Sequence, residues 1–398
     1  MSDAKPRIAI LGAGPTGLEA ALAAAENGFP FTVYEASLGA AGNVRAWGHV
    51  RLFTPWEMNV SPRMLRHLEA AGRVVPAGSD CPTGGQLAEH LLEPLAGLPE
   101  IAPNLRFGTR VLSVGREGLL QHEEIATAER GRRPFRLLLA DDFGREWTET
   151  ADVVIDATGT WGNPNTLGDA GIQAPGERAL AGEIRRDIPD FAGEAASWAG
   201  KTVLLAGAGH SAQTAARDLA RLAQEAPGTG VIWLLRNPEP SWGSQPGDPL
   251  AARAELAAEA AALAAGSSPA VKARRGAVVE EIAKPNGSFE VVLRNGGGNE
   301  RVAVDRVISL TGSVGDHGLY RQLQVHECYA TCGPINLSAA ILGAGSADCL
   351  AQTTHGAETL KNPEPNFFIL GAKSYGRNNT FLMRIGWEQV GEVFGLLE

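Results

Sequence analysis

The chain has 398 residues, of which 44% are hydrophobic and 20% are charged, and its formal net charge is −10 at pH 7. This length predicts two or three globular domains. An acidic chain is a poor ligand for nucleic acid or an anionic membrane surface, and no apolar run is long enough to span a membrane. We therefore expect no nucleic-acid or membrane partner, while the oligomeric state stays open.

The cysteines and the first residues predict a cytoplasmic address. Cys81, Cys328, Cys332 and Cys349 are too few and too scattered for a secreted disulfide framework. The first residues pass directly into a strand-like run, without the basic and apolar regions of a signal peptide.

Two segments of the chain repeat one order of elements: an apolar strand, a glycine-rich turn and an Ala/Leu-rich helix. The first segment occupies residues 7–27 and leads to a strand at 32–34, and the second occupies 201–225 and leads to a strand at 231–235. This βαβ order, present twice, predicts an α/β protein with two doubly wound, Rossmann-like domains.

The rest of the chain adds elements around these two units. We predict strands, a domain connection, a loop, helices and a last strand, in chain order: strands 106–114, 135–140 and 152–155, a Gly/Pro-rich connection at 159–176, a loop at 237–249, a helix at 250–265, strands 289–293 and 306–310, a strand at 367–370 and a helix at 381–397.

The first glycine turn, GAGPTG at residues 12–17, carries the strongest functional signal. The first glycine makes the tight turn, the second lets the backbone approach a diphosphate, and the third lets helix and strand pack closely. The helix that begins there presents free amides and a positive dipole end. Glu35 ends the next strand, where a carboxylate accepts ribose hydroxyls. The predicted dinucleotide contacts are Gly12, Gly14, Pro15, Thr16, Gly17 and Glu35.

The second glycine turn begins at Gly207 and has alanine at its third position, which is an accepted variant. No acid ends the next strand; Arg236 stands there instead. A carboxylate would repel a 2′-phosphate and an arginine can pair with it, so the sequence favours NADPH over NADH, unless Arg236 is simply a surface residue. The predicted nicotinamide-nucleotide contacts are Gly207, Gly209, His210, Ser211 and Arg236.

With both turns in place, the chain resembles the flavin-dependent monooxygenase and pyridine-nucleotide oxidoreductase superfamily over essentially its whole length. The resemblance implies a flavoprotein oxidoreductase with two Rossmann-like domains, one binding FAD and one binding NAD(P), the second inserted in the first. It places the FAD-binding domain at residues 1–180 and 316–398 and the NADPH-binding domain at 195–315. No metal is expected.

The same resemblance assigns further cofactor contacts. Residues 156–159 match the superfamily's ATG element, and Gly371 follows the last strand as the support of the flavin ribityl chain. Ala372 stands where many relatives carry an acid, which shifts that contact to the backbone or to Asn378. The terminal helix would direct its N-terminus at the flavin pyrimidine edge. These assignments are Val111, Ala157, Thr158, Gly159, Gly371, Ala372 and Asn379.

The segment 43–62 is the candidate substrate wall. It contains the aromatic or polar residues Trp47, His49, Arg51, Phe53, Trp56 and Asn59. Such a wall suits a small organic substrate beside the flavin, although these aromatics could equally belong to the core. We select Arg51, His49 and Asn378 as candidate catalytic residues that contact substrate or flavin.

Cys328 and Cys332 leave two readings open. Their spacing could place two thiols one helical turn apart beside a flavin, or they could be unrelated thiols at the start of a helix that continues through 337–342. The leading hypothesis is an NADPH-dependent flavin monooxygenase. The alternatives are a flavin reductase or dehydrogenase that passes electrons to a thiol, disulfide or other acceptor, and a non-catalytic flavin-binding redox sensor.

Overall fold

The computed structural model describes residues 5–244, 247–344, 350 and 353–398, so Cys349 lies outside the described residues. The chain forms two compact units. Unit 1 comprises Met1–Asn163 and Ser313–Glu398, and unit 2 is the inserted segment Pro164–Gly312. No helix in the described ranges is long and apolar enough to cross a membrane.

The strands of the described residues are mostly short. In chain order they are β1 (Ile8–Leu11), β2 (Phe31–Tyr34), β3 (Leu105–Arg106), β4 (Thr109–Arg116), β5 (Phe135–Asp141), β6 (Glu146–Ala151), β7 (Val153–Asp156), β8 (Ile184–Arg185), β9 (Thr202–Ala206), β10 (Gly230–Leu235), β11 (Val271–Arg275), β12 (Val278–Ala283), β13 (Phe289–Asn295), β14 (Gly298–Val304), β15 (Arg306–Ser309) and β16 (Phe367–Ile369).

The α-helices range from single turns to four turns. They are α1 (Pro15–Glu26), α2 (Gly42–Ala46), α3 (Pro62–Ala70), α4 (Gly84–Leu87), α5 (Glu93–Ala96), α6 (Ala128–Arg132), α7 (Ala195–Trp198), α8 (His210–Glu225), α9 (Ala251–Ala264), α10 (Ile335–Ala344), α11 (Ala372–Tyr375) and α12 (Met383–Leu397).

Unit 1 is built on a five-stranded parallel sheet in the order β16-β7-β1-β2-β3. Three of its strands, β1, β7 and β16, are buried along their whole length and almost entirely apolar, because both faces of the sheet are covered there. Ile8 and Ile10 of β1 pack into a core that includes residues of α1 and α12, whereas Ala9 and Leu11 pack into a core with β5. The carboxyl ends of β1 and β7 therefore meet at one edge, where the register pairs Leu11 with Asp156.

Unit 2 repeats the design with the parallel order β11-β10-β9-β15-β8. A three-stranded antiparallel sheet, β12-β13-β14, contributes Phe289, Val291 and Leu293 to a core shared with Leu204 and Val307 of the parallel sheet. Each unit thus has a parallel sheet joined by βαβ connections, and the predicted α/β fold class with one domain inserted in the other is confirmed.

Several boundaries differ from those predicted. The inserted unit begins at Pro164 and ends at Gly312, so residues 164–180, assigned to the first domain from sequence, belong to the second unit. Asn165 N donates to the Gly312 carbonyl, which ties the two ends of this unit together. The predicted strand 106–114 divides into β3 and β4, because Gly108 adopts a φ of 59° between them.

Candidate functional site

The first glycine turn has the geometry that its sequence predicts. Gly12 adopts a φ of 99°, and a Cβ there would approach the Ala157 carbonyl oxygen to 2.9 Å. A Cβ on Gly17 would stand 3.0 Å from the Gly12 carbonyl carbon and closer still to its oxygen. The first and third glycines are therefore required by the packing of β1, α1 and the end of β7 against one another.

Gly14 meets a different requirement. It is the N-cap of α1, and Pro15 follows in the first turn of the helix, where a missing N–H costs nothing. A Cβ on Gly14 would meet no atom within 4 Å, yet Gly14 lines a cavity of about 540 Å³. The bare backbone and the amides of the helix N-terminus therefore face open space that can accept a phosphate group.

Glu35 closes β2 beside this turn. Its Oε2 accepts a hydrogen bond from Ala13 N at 2.7 Å, and its Oε1 accepts one from Ser37 N at 2.8 Å. The carboxylate thus holds the glycine turn and also lines the cavity. Each oxygen retains a lone pair, so the pair can still accept hydroxyl donors from a ribose.

A buried ion pair joins two segments that contribute residues to the cavity wall. Lys373 Nζ donates to Asp156 Oδ2 at 2.6 Å, and both side chains are 0% exposed. Thr158 Oγ1 donates to Asp156 Oδ1 at 2.7 Å. Thr158 belongs to this network and Ala372 precedes Lys373, and both Thr158 and Ala372 line the cavity.

Gly371 lets the last strand approach α1. It has a φ of 73°, and a Cβ there would come within 2.8 Å of Thr16 Oγ1. Thr16, Ala157, Gly159 and Gly371 all line the cavity, as the resemblance implies for a cofactor site. Their roles as cofactor contacts remain predictions.

Part of the cavity wall is apolar and aromatic. Trp47, Leu52, Trp161, Phe381 and Trp387 line it. The first residues of α12 also reach the cavity, so the N-terminus of this helix faces it. The helix begins at Met383 rather than at residue 381, and its position relative to a flavin stays a prediction.

The predicted substrate wall lies only partly in this cavity. Trp47 and Asn59 line it, and Asn59 is buried with its amide donating to the Thr54 carbonyl at 2.9 Å. Trp56 is buried in the core of unit 1. His49 and Arg51 are exposed and do not line the cavity, and Arg51 donates to the Cys81 carbonyl.

Asn378, Asn379 and Val111 also lie outside the cavity lining. Asn378 Oδ1 accepts a hydrogen bond from Thr380 N at 3.0 Å, so this side chain shapes the turn that leads to α12. Asn379 is exposed, and Val111 is half-buried in β4 against the core of unit 1. The structure therefore does not bring Arg51, His49 and Asn378 together in one site.

The second glycine turn reproduces the first. Gly207 has a φ of 128°, and a Cβ there would meet the Leu310 carbonyl carbon at 2.8 Å. Gly209 is the N-cap of α8, and its Cβ would meet nothing within 4 Å. Trp233 supports the turn from below by donating from Nε1 to the Gly207 carbonyl at 2.8 Å. This backbone too is open to a diphosphate.

His210 and Arg236 differ in their surroundings. Burial lowers the pKa of His210, and the positive charge of Arg253 lowers it further, so the imidazole is neutral at pH 7. The role of His210 as a nucleotide contact stays a prediction. Ser211, the next residue, is exposed in the first turn of α8. Arg236 is exposed directly after β10, and its role as a nucleotide contact stays a prediction.

The two neighbouring thiols lie in a tight turn, so the predicted helical start is wrong. Cys332 N donates to the Cys328 carbonyl at 2.7 Å, Cys332 adopts a φ of 58°, and α10 begins only at Ile335. Hydrogen bonds from the backbone and hydroxyl of Thr331 lower the pKa of the Cys328 thiol. Arg377 Nε donates to Cys332 Sγ at 3.1 Å.

Sequence reasoning missed two residues at this site. Lys373 follows the predicted Ala372, and Trp387 lies in the predicted terminal helix, but neither was selected. A lysine inside a strongly apolar stretch that follows a buried strand is a signal for a buried ion pair. The aromatic position in α12 carried no comparable signal, because it also fits the apolar stripe of a core helix.

The sequence pattern of the pyridine nucleotide-disulphide oxidoreductase family matches residues 6–328, well over half of the chain. The chain belongs to this family. Its membership confirms the predicted resemblance to two-dinucleotide flavoprotein oxidoreductases and an enzyme that depends on FAD and NAD(P)H. No curated protein matches the chain in sequence.

Solved structures with the same fold include reductases and hydroxylases. The bacillithiol disulfide reductase from Bacillus cereus is 18% identical with a TM-score of 0.70, over 99% of this chain and 98% of that chain. The ornithine hydroxylase from Pseudomonas aeruginosa is 16% identical with a TM-score of 0.63, over 98% of each chain. The thioredoxin reductase from Lactococcus lactis is 15% identical with a TM-score of 0.58, over 99% and 98%. At these identities the likeness shows the fold.

Proposed function

We propose that this protein is an NADPH-dependent FAD oxidoreductase of the flavin monooxygenase type, acting on a small organic substrate. The observation that carries the proposal is the open backbone of Gly14 at the N-terminus of α1, facing a cavity that Glu35 also lines. When bound, FAD supplies the two-electron chemistry: it accepts electrons from NADPH and passes them to oxygen, one atom of which enters the substrate while the other leaves as water.

The chain itself binds and orients the cofactor. The amides of the first turn of α1 are donors for the diphosphate, and the dipole of that helix favours its negative charge. Glu35 accepts the ribose hydroxyls while holding the glycine turn. The pair of Lys373 and Asp156 fixes the segments that carry Thr158 and Ala372, so the cavity wall is set before the cofactor arrives.

The character of the cavity favours a small organic substrate over a dithiol. Four aromatic side chains, Trp47, Trp161, Phe381 and Trp387, line it and offer apolar surface to an organic substrate. Among the described residues that line the cavity, none is a cysteine. Among the described residues, the cavity wall therefore offers no thiol that could exchange electrons directly with the flavin.

NADPH, rather than NADH, follows from Arg236. An exposed guanidinium directly after β10 can make charge-assisted hydrogen bonds to a 2′-phosphate, each worth about 1.5–3 kcal/mol. Arg236→Gln should therefore raise the KM for NADPH by about tenfold to a hundredfold and leave that for NADH unchanged. Anaerobic stopped-flow reduction of the bound flavin measures both.

The matched control is Arg221→Gln, which removes an arginine from the exposed face of α8, where it lies 3.4 Å from Glu259. This variant should keep the wild-type preference for NADPH. The role of Arg236 would be contradicted if Arg236→Gln raised the KM for NADPH and the KM for NADH equally. It would also be contradicted if Arg221→Gln reduced the preference for NADPH as much as Arg236→Gln does.

A second candidate function is a reductase that passes electrons to a disulfide. The observation that favours it is the turn at 328–332, which holds two thiols close in sequence and in which hydrogen bonds from Thr331 lower the pKa of the buried Cys328 thiol. This turn is tied to the segment that leads from Ala372 to α12, because the Thr331 carbonyl accepts a hydrogen bond from Arg377 N. The end of that segment lines the cavity.

Two assays separate the candidates. With NADPH in air, a monooxygenase takes up oxygen in proportion to an added amine, for which L-ornithine and cadaverine are the first probes. Without oxygen, a disulfide reductase reduces 5,5′-dithiobis(2-nitrobenzoate), and Cys328→Ser abolishes that turnover. Anaerobic turnover that needs Cys328, with no amine-dependent oxygen uptake, would replace the first proposal by the second.

A further inference from the structure

A buried glutamine connects the second glycine turn to the segment that follows Arg236. Gln213 lies in the first turn of α8 and is 1% exposed. Its Nε2 donates to the Ala208 carbonyl in the glycine turn at 2.9 Å and to the Trp242 carbonyl at 3.0 Å. An amide nitrogen of this kind carries two donors, and both are used here. One side chain therefore joins the glycine turn to residue 242.

Trp242 adopts a backbone conformation that tryptophan rarely takes. Its φ is 57°, in the left-handed region, where a bulky residue persists only if its surroundings hold it. Its ring contacts the fully buried ring of Trp233, with centroids 5.4 Å apart. Trp233 in turn donates to the Gly207 carbonyl at 2.8 Å. The hydrogen bond from Gln213 and this ring contact thus hold Trp242 against the glycine turn.

The segment between Arg236 and Trp242 has little conformational freedom of its own. Prolines at positions 238 and 240 fix two of its φ angles. Asn237 Oδ1 accepts a hydrogen bond from Glu239 N at 3.0 Å, which closes a turn directly after Arg236. The hold on Trp242 at one end of this stiff segment therefore limits the positions that Arg236 can take at the other end.

We propose that Gln213 is a positioning residue for the nicotinamide nucleotide. By joining the glycine turn to Trp242, it keeps Arg236 in a fixed position relative to the backbone that is open to a diphosphate. This inference rests on the proposed role of Arg236 toward a 2′-phosphate. An arginine that is already held in place loses less conformational freedom when it binds. Gln213 thus favours NADPH over NADH by acting through Arg236.

The test is Gln213→Leu, which nearly keeps the volume of the side chain and removes both donors. Arg236 is then held less firmly, so the ratio of the Kd for NAD+ to the Kd for NADP+ should fall about threefold to tenfold. A change that acts on the glycine turn alone alters both constants equally and leaves this ratio unchanged. Titration calorimetry of the purified full chain with each oxidised nucleotide gives the two constants.

A second arm repeats the measurement in the Arg236→Gln background. Because Gln213 acts through Arg236, Gln213→Leu should not lower the ratio further once the arginine is gone. The matched control is Gln224→Leu, which is a substitution of the same kind at an exposed position near the other end of α8. This control should keep the wild-type ratio.

The outcomes separate the two claims. A wild-type chain that binds neither nucleotide, or a wild-type ratio in Arg236→Gln, would overturn the proposed role of Arg236 and this inference with it. If Arg236→Gln lowers the ratio, a wild-type ratio in Gln213→Leu overturns the inference alone, and so does an equal effect of Gln213→Leu in both backgrounds. Should Gln213→Leu not fold, Trp242→Ala replaces it, because it removes the ring contact with Trp233. A lowered ratio in that variant supports the inference, and a wild-type ratio overturns it.

Discussion

Alanine at two glycines of the first turn should produce opposite phenotypes. Gly14 and Gly17 are three residues apart in α1 or at its cap, and both changes add a single methyl group. At Gly14 the added Cβ meets no atom within 4 Å, whereas at Gly17 it stands 3.0 Å from the Gly12 carbonyl carbon and closer to its oxygen. Only the second substitution conflicts with the protein itself.

The magnitudes follow from these distances. Ordinary Cβ contacts begin near 3.4 Å, so Gly17→Ala must displace backbone that is held by β1, and we expect a loss of about 1–3 kcal/mol in the free energy of unfolding. Gly14→Ala should change that free energy by no more than about 0.5 kcal/mol. Its methyl group faces the cavity, where the diphosphate must approach the backbone, and a conflict of about 1–3 kcal/mol there weakens FAD binding roughly 5-fold to 150-fold.

Urea unfolding of the apoproteins and fluorescence titration with FAD measure the two quantities separately. The geometry predicts that Gly14→Ala is stable but binds FAD poorly, and that Gly17→Ala is unstable. A Gly14→Ala protein with wild-type affinity would refute the reasoning, because the open space at Gly14 would then not be where the cofactor lies. A large loss of stability in Gly14→Ala would contradict the absence of neighbours around its Cβ.

Two further predictions concern buried and partly buried charges. Lys373→Met leaves the fully buried Asp156 without its cationic partner, so the free energy of unfolding should fall by about 3–5 kcal/mol. In urea unfolding, the double variant Lys373→Met/Asp156→Leu should recover most of that free energy. An equal loss of stability in the single and the double variant would contradict the pairing. Burial opposes ionisation of Glu26, but hydrogen bonds from Arg63 and Arg66 lower its pKa from the usual 4.5 to about 2. The stabilisation is present above pH 4.5 and lost as the pH falls towards 2. Glu26→Gln should therefore have a lower free energy of unfolding than wild type at pH 7, and this difference should disappear between pH 4.5 and pH 2. A difference that does not depend on pH would show that the carboxylate charge is not its cause.

The glycine turns were predictable because their requirements are local. The positive φ of Gly12 and the close approach of Gly17 to the Gly12 carbonyl involve residues of one βαβ unit. The sequence order of strand, glycine turn and helix therefore predicts both. Glu35 was predictable for the same reason. The helix Met383–Leu397 and the βαβ strands also appear as continuous patterns, which predict existence well and ends less well.

The remaining elements of the site depend on contacts that no local pattern contains. Lys373 reaches Asp156 across 217 residues of sequence, through the parallel pairing of β16 with β7. The register of that pair is set by the packed sheet, not by the composition of either strand. The same holds for Trp387, which lines the cavity only because α12 packs beside it.

For the predicted substrate wall, the sequence could not show which side chains line the cavity. In the segment 43–62 the chain has little regular structure, so no periodicity tells which side chains turn inward. Trp47 and Asn59 line the cavity, whereas His49 and Arg51 point to solvent or to the Cys81 carbonyl. The strands β6, β11, β12 and β14 escaped prediction because they are half-exposed and rich in polar residues.

Binding of FAD by the recombinant chain tests the central claim most directly. Purified protein incubated with excess FAD and passed over a desalting column should retain one flavin per chain, with the absorbance of a bound oxidised flavin that NADPH bleaches without oxygen. A protein that leaves the column colourless would contradict the assignment of the cavity at Gly14 to FAD.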